Sequence, residues 1–455
     1  MKFKLSLVVV LLIFGATQFL YSQDDTATQL QQLKIEVHIL QAQLDSLKAI
    51  SSGTENTDDI ENLEEQFNKR LAQLENKVDA ISRATAPTTM NPKITAFFNL
   101  AGRHDNTSVM DYNSESSGSN QISNQIYLRS FELDFRSAID PYADAVAILS
   151  VEDEAGTGYA VDPEEIYAII KRLPILETAP LGLKLKLGRF RAPFGVSNVT
   201  HMHDLPWTTR PLVIGKFLGT EHGDFFEGGF NPIGADMAFI LPGFLTDISK
   251  EVNISIVRSG ELGLPNAFSS GSKLAFVSRL NLSKDWDNEH IVDLGLSFYG
   301  EGSFLKSESV GEQSTHLTLA GIDLTYKWAP AEDRESNSLV LGGEYLVGSH
   351  LVTDTQNVVV RSKPQGAYGY IQYQPSYGTY LGVRYDWLQE PTYDKAVTTS
   401  LAIYGTYYTS EFLRFRLGYE NRWSDIAVQN NVSSIIFDVN VVFGSHPTEP
   451  YWVNR

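Results

Sequence analysis

The sequence contains no cysteine in its 455 residues. This absence excludes disulfide bonds, thiolate metal sites, cysteine catalysis and lipid attachment at an N-terminal cysteine. Basic residues are also few, because 36 Lys and Arg stand against 55 Asp and Glu and give a formal net charge of −19. Proteins bind nucleic acids mainly through clustered Lys and Arg that neutralise phosphates, so we expect no nucleic-acid partner.

Long apolar runs are missing beyond the N-terminus, where Lys2 and Lys4 precede an apolar run over residues 5–13. That run is about half as long as a membrane-spanning helix, and a short polar stretch suited to cleavage follows it. We therefore predict a signal peptide over residues 1–22, with an uncleaved anchor helix as the alternative. A helical membrane protein is excluded, whereas a β-barrel is not, because its strands need only about ten residues with alternate ones apolar.

The segment after the signal has the spacing of a coiled coil, with apolar residues at intervals of three and four. They are Leu30, Leu33, Val37, Leu40, Leu44 and Leu47, and then Ile60, Leu63, Phe67, Leu71, Leu74, Val78 and Ile81. Each helix must bury this stripe against another copy or against its neighbour in a hairpin. We predict a periplasmic α-helical coiled coil over residues 26–83, followed by a Pro-containing linker over residues 84–92.

From Lys93 onward, apolar and polar residues alternate, which is the pattern of β-strands with one apolar face. The strand-like runs are longer than the roughly five or six residues that are usual for strands of soluble sheets. Tyr and Phe also lie at the ends of the apolar faces. A secreted sheet protein is the alternative. We predict an all-β transmembrane β-barrel of about sixteen antiparallel strands over residues 93–443, with a C-terminal tail over residues 444–455.

The last strand-like run carries an apolar stripe formed by Phe437, Val439, Val441 and Phe443. A terminal stripe that ends in Phe resembles the signal for insertion into the bacterial outer membrane, although the chain continues here to Arg455. The sequence therefore predicts an outer-membrane protein whose N-terminal segment lies in the periplasm.

Two stretches carry a family resemblance. One is LRSFELDFRSAIDPYADA over residues 128–145, and the other is LKLGRFRAPFGVSNVTHMHDLPWTTRPLV over residues 183–213. Their motifs, Leu-Arg-x-x-Glu-Leu and Gly-Arg-Phe-Arg-x-Pro-Phe-Gly, resemble the phosphate-selective porin O/P family and its porin-like relatives. The resemblance implies a barrel channel, a coiled coil between signal and barrel, and a homo-oligomer, with a trimer favoured.

Anion selectivity in that family depends on basic residues that project into the lumen. The polar faces here carry both signs. The candidate pore-lining residues are Lys184, Lys186, Arg279, Asp293, Glu344, Arg384, Asp386, Arg414, Arg416 and Glu420. Because no dense row of lysines is present and the chain is acidic, phosphate selectivity is not predicted.

The second stretch contains a candidate metal site at His201, His203 and Asp204, because two imidazoles and a carboxylate suit a transition metal. The alternative is a polar loop whose histidines form local hydrogen bonds. The run 221–224, which contains Glu221, His222 and Asp224, could complete the cluster if the intervening loop folds back.

Two further features of this stretch have open placements. Arg189 and Arg191 either face the lumen through a bulge at Gly188 or, by strict alternation, face the lipid. The run 206–211 contains two prolines, which prevent a regular strand, so it forms either a loop inside the pore mouth or an ordinary surface loop.

These patterns together predict a porin-like outer-membrane channel for passive diffusion of small hydrophilic solutes or ions. The alternative is a structural anchor whose coiled coil tethers the cell wall or partner proteins. No pair of Ser and His has the spacing of a barrel lipase, so we expect neither enzymatic activity nor a cofactor. The expected partners are outer-membrane lipid and small solutes.

Overall fold

The computed structural model describes residues 92–106, 125–153, 159–173, 179–219, 229–242, 247–267, 273–287, 289–302, 309–311, 313–333, 336–426 and 431–444. The predicted signal peptide, the predicted coiled coil and all of the predicted linker except Pro92 lie outside these residues, as do all but the first residue of the predicted C-terminal tail. Among the described residues, no helix combines the length and the apolarity needed to cross a bilayer.

Nineteen β-strands and one α-helix are described. The strands are β1 (Lys93–Asp105), β2 (Gln125–Ala138), β3 (Ala143–Asp153), β4 (Tyr159–Ile170), β5 (Lys184–Arg189), β6 (Ile233–Ile240), β7 (Ser249–Arg258), β8 (Leu274–Trp286), β9 (His290–Glu301), β10 (Ser309–Val310), β11 (Gln313–Ser314), β12 (Leu317–Trp328), β13 (Ser338–Thr353), β14 (Val359–Ser362), β15 (Gln365–Ser376), β16 (Thr379–Gln389), β17 (Val397–Ser410), β18 (Leu413–Ser424) and β19 (Val432–Gly444). The helix is α1 (Leu212–Leu218), and short 3₁₀ turns occur at Pro180–Gly182 and Met202–Asp204.

Sixteen of the described strands form a closed antiparallel barrel, each pairing with the next along the chain. The ring closes where β19 pairs with β1, in a register that runs from Thr95 opposite Gly444 to Asp105 opposite Ser434. The other three strands are accessory: β10 and β11 form a hairpin, and β14 pairs with the end of β13. The predicted barrel of about sixteen strands is therefore confirmed.

The two faces of the barrel differ in polarity, as β16 illustrates. Arg384 and Asp386 are buried inside the ring, whereas Leu381, Val383 and Tyr385 are exposed on its outer face. The other long strands also expose large apolar side chains outward and keep their charged side chains inside. A soluble barrel would show the reverse, so the outer face has the polarity that lipid hydrocarbon solvates.

The connections at the two rims differ in length. Residues 377–378 join β15 to β16, and residues 411–412 join β17 to β18, at the rim where β1 begins and β19 ends. The opposite rim carries the long connection over residues 190–232, between β5 and β6. The stripe predicted as the insertion signal, Phe437, Val439, Val441 and Phe443, alternates with the buried residues of β19 and so lies on its outer face.

Candidate functional site

The connection between β5 and β6 leaves the wall and folds into the lumen. We call its first described part, residues 190–219, the inserted segment. Its largest apolar side chains are almost fully buried: Phe190, Phe194, Leu205, Trp207, Val213, Ile214, Phe217 and Leu218. The ring of Trp207 packs edge-on against Tyr368 and Tyr370 of β15, with ring centroids 5.6 and 4.7 Å away. Pro206 and Pro211 prevent this chain from joining the sheet, and its apolar residues find their cover inside the barrel.

Arginines of the barrel wall bind main-chain carbonyls of the inserted segment. Arg416 on β18 donates hydrogen bonds to the carbonyls of Trp207 and Leu205, each with an N–O distance of 2.7 Å. Arg414 donates to the carbonyl of His203, and Arg384 on β16 donates to the carbonyl of Thr209. The segment has no neighbouring strand to satisfy these carbonyls, so the forked guanidinium groups take that place.

Carboxylates of the wall accept hydrogen bonds from the same segment. Glu344 accepts from the main-chain N–H of Ser197 at 2.7 Å, and Asp386 accepts from that of Leu212 at 3.1 Å. Glu420 accepts from the hydroxyl of Thr209 at 2.5 Å. These bonds distribute the attachment of the inserted segment over three separate strands, β13, β16 and β18.

At Gly195 the inserted segment passes close to the wall. Its φ of +65° is in the left-handed region, and a Cβ atom there would lie 2.0 Å from Oε2 of Glu344. Its N–H donates to the hydroxyl of Ser297 at 3.1 Å. Only glycine fits this position without moving Glu344, which explains the physical role of the last residue in the Gly-Arg-Phe-Arg-x-Pro-Phe-Gly motif.

On the other side of the lumen, a cavity of about 390 Å³ remains between the inserted segment and the wall. The wall residues that line it are Lys186, Asp236, Glu251, Asn253, Arg279, Asn281, Asp293, Thr325 and Lys327. The inserted segment contributes Arg191, Pro193, Gly195, Val196 and Val199. Part of this charge is paired, because Arg279 binds Asp323 at 2.6 Å and Lys327 lies 3.7 Å from Asp293. The cavity is therefore polar and carries both signs of charge.

The structure divides the predicted pore-lining residues into three sets. Lys186, Arg279 and Asp293 line the cavity. A second set contacts the inserted segment or its immediate partners instead: Glu344, Arg384, Asp386, Arg414, Arg416 and Glu420. Lys184 shares one face of β5 with Lys186, two residues further along the strand. It is exposed near the rim that carries the short turns, and it does not line the cavity.

Arg189 and Arg191, for which the sequence allowed either a lumen or a lipid placement, lie on different sides of the wall. Arg189 pairs in register with Ile166, which is exposed on the outer face, and its guanidinium lies 3.2 Å from Asp162. Arg191 is buried in the lumen beside the cavity, where its main-chain N–H donates to Glu165 at 3.1 Å. Because β5 ends between them, strict alternation governs Arg189 and no longer governs Arg191.

The predicted metal-binding run lies in the inserted segment, close to the wall. His201 and His203 come together with Glu132 of β2, and one ligand atom of each lies within 4.8 Å of the others. Asp204 is displaced from this group, because its carboxylate is 3.5 Å from Nε2 of His203, on the far side of the ring. The structure thus groups Glu132, rather than Asp204, with the two histidines, and metal binding by this run stays a prediction. Residues 221–224 lie outside the described part of the chain.

The two histidines differ in protonation. Burial lowers the pKa of His203 to about 4. Burial also acts to lower the pKa of His201, but the carboxylates of Glu164 and Glu165 outweigh it and raise that pKa well above the ordinary value. His203 is therefore neutral at physiological pH, whereas a proton on His201 is stabilised by its acidic neighbours.

Comparisons with known proteins give distant likenesses. No family model matches the chain. An uncharacterized protein of Aquifex aeolicus (strain VF5) is 24% identical over 346 residues, which cover 70% of this chain and 69% of that protein. The resemblance to the phosphate-selective porin O/P family therefore stays a prediction.

Two solved structures illustrate the likeness in fold. The outer membrane channel DcaP of Acinetobacter baumannii is 10% identical, with a TM-score of 0.49, and the match covers 78% of this chain and 97% of DcaP. The anion-selective porin from Comamonas acidovorans is 8% identical, with a TM-score of 0.46, over 78% of this chain and 99% of that porin.

Proposed function

We propose that the protein is a porin-like outer-membrane channel for passive diffusion of small hydrophilic solutes or ions. The observation that carries this proposal is the polar cavity of about 390 Å³ inside a closed barrel whose outer face is apolar. A barrel that served only as an anchor has no need of a charged cavity, because burying charge without function is costly.

The inserted segment has the character of a fixed constriction. It packs against the wall on the side of β13, β16 and β18, through the arginine and carboxylate contacts described above. The open side is lined by β5 to β9 and β12. Because the segment is attached at several points, we expect it to set a constant pore size rather than to open and close.

The ionic preference of the channel follows from its lining. Four basic side chains line the cavity, namely Lys186, Arg191, Arg279 and Lys327, against three acidic ones, Asp236, Glu251 and Asp293. Asp323 adds a further carboxylate through its pair with Arg279. With both signs nearly balanced, the channel discriminates weakly between small anions and cations.

The orientation follows from the rims. Bacterial barrels place short turns in the periplasm and longer loops outside, so the rim with the connections 377–378 and 411–412 faces the periplasm. The inserted segment then enters from the extracellular side. We propose further that the protein assembles as a homo-oligomer, with a trimer favoured, and that the coiled coil predicted over residues 26–83, which lies outside the described residues, contacts the cell wall.

Single-channel recording in planar bilayers tests the proposal. Purified, folded protein should give discrete conductance steps, with a small reversal potential in an asymmetric KCl gradient. A folded protein that inserts into the bilayer and gives no conductance would overturn the channel and support the structural anchor. Heat-modifiable migration in gels confirms in parallel that the barrel is folded.

A further inference from the structure

A second cluster of charged side chains lies where the inserted segment meets β2 and β4. Glu132 of β2 lies 3.0 Å from Nδ1 of His203, measured at Oε1, and 3.7 Å from Nδ1 of His201, measured at Oε2. Glu164 of β4 approaches the same point, with its Oε2 3.1 Å from Nδ1 of His201. Two carboxylates and two imidazole nitrogens therefore converge on one place inside the lumen.

A β-bulge brings the second carboxylate into the cluster. The pairing of β3 with β4 shifts register between Ile148 and Leu149, opposite Glu164 and Glu165. Val161 and Ile166 are exposed on the outer face on either side of the bulge, while both consecutive glutamates are buried. In a regular strand consecutive residues face opposite sides, so the bulge is what turns two adjacent carboxylates inward.

Oε2 of Glu132, Oε2 of Glu164 and Nδ1 of His201 have no partner with full hydrogen-bond geometry among the described residues, although the last two atoms lie 3.1 Å apart. The side chains of Glu132 and Glu164 are only 3% and 1% exposed. Buried polar atoms are nearly always hydrogen-bonded, and each exception calls for a physical reason. Here the three atoms point at each other, as ligands do around a cation.

The opposite nitrogens of both rings are held by other carboxylates. Nε2 of His201 lies 2.9 Å from Glu165, and Nε2 of His203 lies 3.5 Å from Asp204. A histidine that binds a metal through one nitrogen commonly donates the other N–H to a carboxylate, which fixes the ring and its tautomer. Both rings therefore present Nδ1 to the same point, each with a carboxylate behind it.

The charge of the cluster also favours a divalent cation. The cluster contains the carboxyl groups of Glu132, Glu164 and Glu165 and one nearby guanidinium, that of Arg191, which lies 3.6 Å from Glu164. Acidic side chains therefore outnumber basic ones in a buried place, where uncompensated charge is costly. A bound divalent cation would compensate the carboxylates.

We propose that Glu132, Glu164, His201 and His203 bind a divalent transition-metal ion of the zinc class, with Glu165 and Asp204 as positioning residues. Mixed imidazole and carboxylate ligands suit such ions, whereas Ca²⁺ and Mg²⁺ prefer oxygen ligands alone. The ion joins the inserted segment to β2 and β4, next to the contact in which Arg414 of β18 donates to the carbonyl of His203. The site goes beyond the proposed channel function and does not depend on it.

Metal binding to the full-length folded protein in detergent tests the proposal directly. The protein carries a tag without histidine, is stripped with a chelator and is titrated with Zn²⁺ in equilibrium dialysis, and with Co²⁺ followed by visible absorption. We expect one Zn²⁺ per chain, not displaced by equal Ca²⁺ or Mg²⁺, and Co²⁺ bands typical of nitrogen and oxygen ligands. Glu132→Gln and His203→Gln should each weaken binding by at least about tenfold.

The matched control is His104→Gln, because His104 is an exposed histidine at the end of β1, outside the cluster. It should bind Zn²⁺ as the unchanged protein does. Asp204→Asn keeps all four ligands and should weaken Zn²⁺ binding by about tenfold or more. This variant tests the site even if a variant of one of the ligands fails to fold. Absence of stoichiometric Zn²⁺ binding, or equal affinity in the ligand variants and the unchanged protein, would overturn the site. Neither result bears on conductance, so the channel proposal is judged separately.

Discussion

Arg416 of β18 points into the lumen and donates a hydrogen bond from Nη1 to the main-chain carbonyl of Trp207, at 2.7 Å. The two residues are 209 positions apart in the chain. Through this contact the barrel wall supplies, from a side chain, the partner that the main chain of the inserted segment lacks. The position of the constriction therefore depends on a small number of buried arginines.

Removing this contact should loosen the constriction while the barrel remains folded. Arg416→Gln removes charge-assisted hydrogen bonds to Trp207 and Leu205, worth about 1.5–3 kcal/mol each. We expect larger and noisier single-channel conductance with unchanged heat-modifiable migration. The control is Arg258→Gln, since Arg258 is exposed and pairs only with Glu261 among the contacts described. Conductance that is identical in both variants would show that Arg416 does not hold the segment.

The tight passage at Gly195 predicts a difference between two Gly→Ala substitutions. Gly195→Ala places a Cβ against Glu344 in a left-handed conformation, which costs about 1–2 kcal/mol for the backbone alone. Gly215→Ala, in α1, meets nothing within 4 Å and should stabilise the helix by about 1 kcal/mol. Urea unfolding measures both. Equal midpoints for the two variants would contradict the close approach at Gly195.

Charge reversal at Lys186 should change ion selectivity. Lys186 lines the cavity, so Lys186→Glu replaces a positive charge by a negative one on the proposed path of the ions and should shift the reversal potential toward cation preference. Lys184→Glu makes the same change in charge on the same face of β5, outside the cavity. It should shift the reversal potential much less. A shift of the same size in both variants would place the ion path elsewhere.

The outer face provides a test of lipid contact. Leu417 lies near the middle of β18, and the residue is 60% exposed. Leu417→Arg should reduce the free energy of unfolding in lipid vesicles by about 2–4 kcal/mol if this face meets the bilayer midplane. Leu417→Phe keeps an apolar side chain and should change it little. An arginine variant as stable as the phenylalanine variant would mean that water, and not lipid, contacts this face.

Local alternation along the sequence was enough to predict the strands, their two faces and the approximate strand number. Leu381, Val383 and Tyr385 alternate with Arg384 and Asp386, and this order alone assigns them to opposite sides of one strand. Alternation could not say which inward residues would be open to the cavity. Lys186 and Arg384 have the same pattern in sequence, but one lines the cavity and the other lies beneath the inserted segment.

Features that break the local pattern were decided by tertiary structure. The local sequence around Glu164 and Glu165 does not indicate that both side chains face inward, because the bulge depends on the pairing of β4 with β3. The split between Arg189 and Arg191 depends in the same way on where β5 stops pairing with its neighbours.

The sequence by itself determined a barrel with an apolar outside, because the period of two is a property of each strand and needs no distant partner. The close spacing of His201 and His203 also indicated a candidate metal site. Only the tertiary structure placed Glu132 beside them, since 71 positions separate Glu132 from His203. That distance is closed by the curvature of the barrel and by the return of the inserted segment into the lumen. Neither of these is written in any short stretch of sequence, because both depend on pairings between strands far apart in the chain.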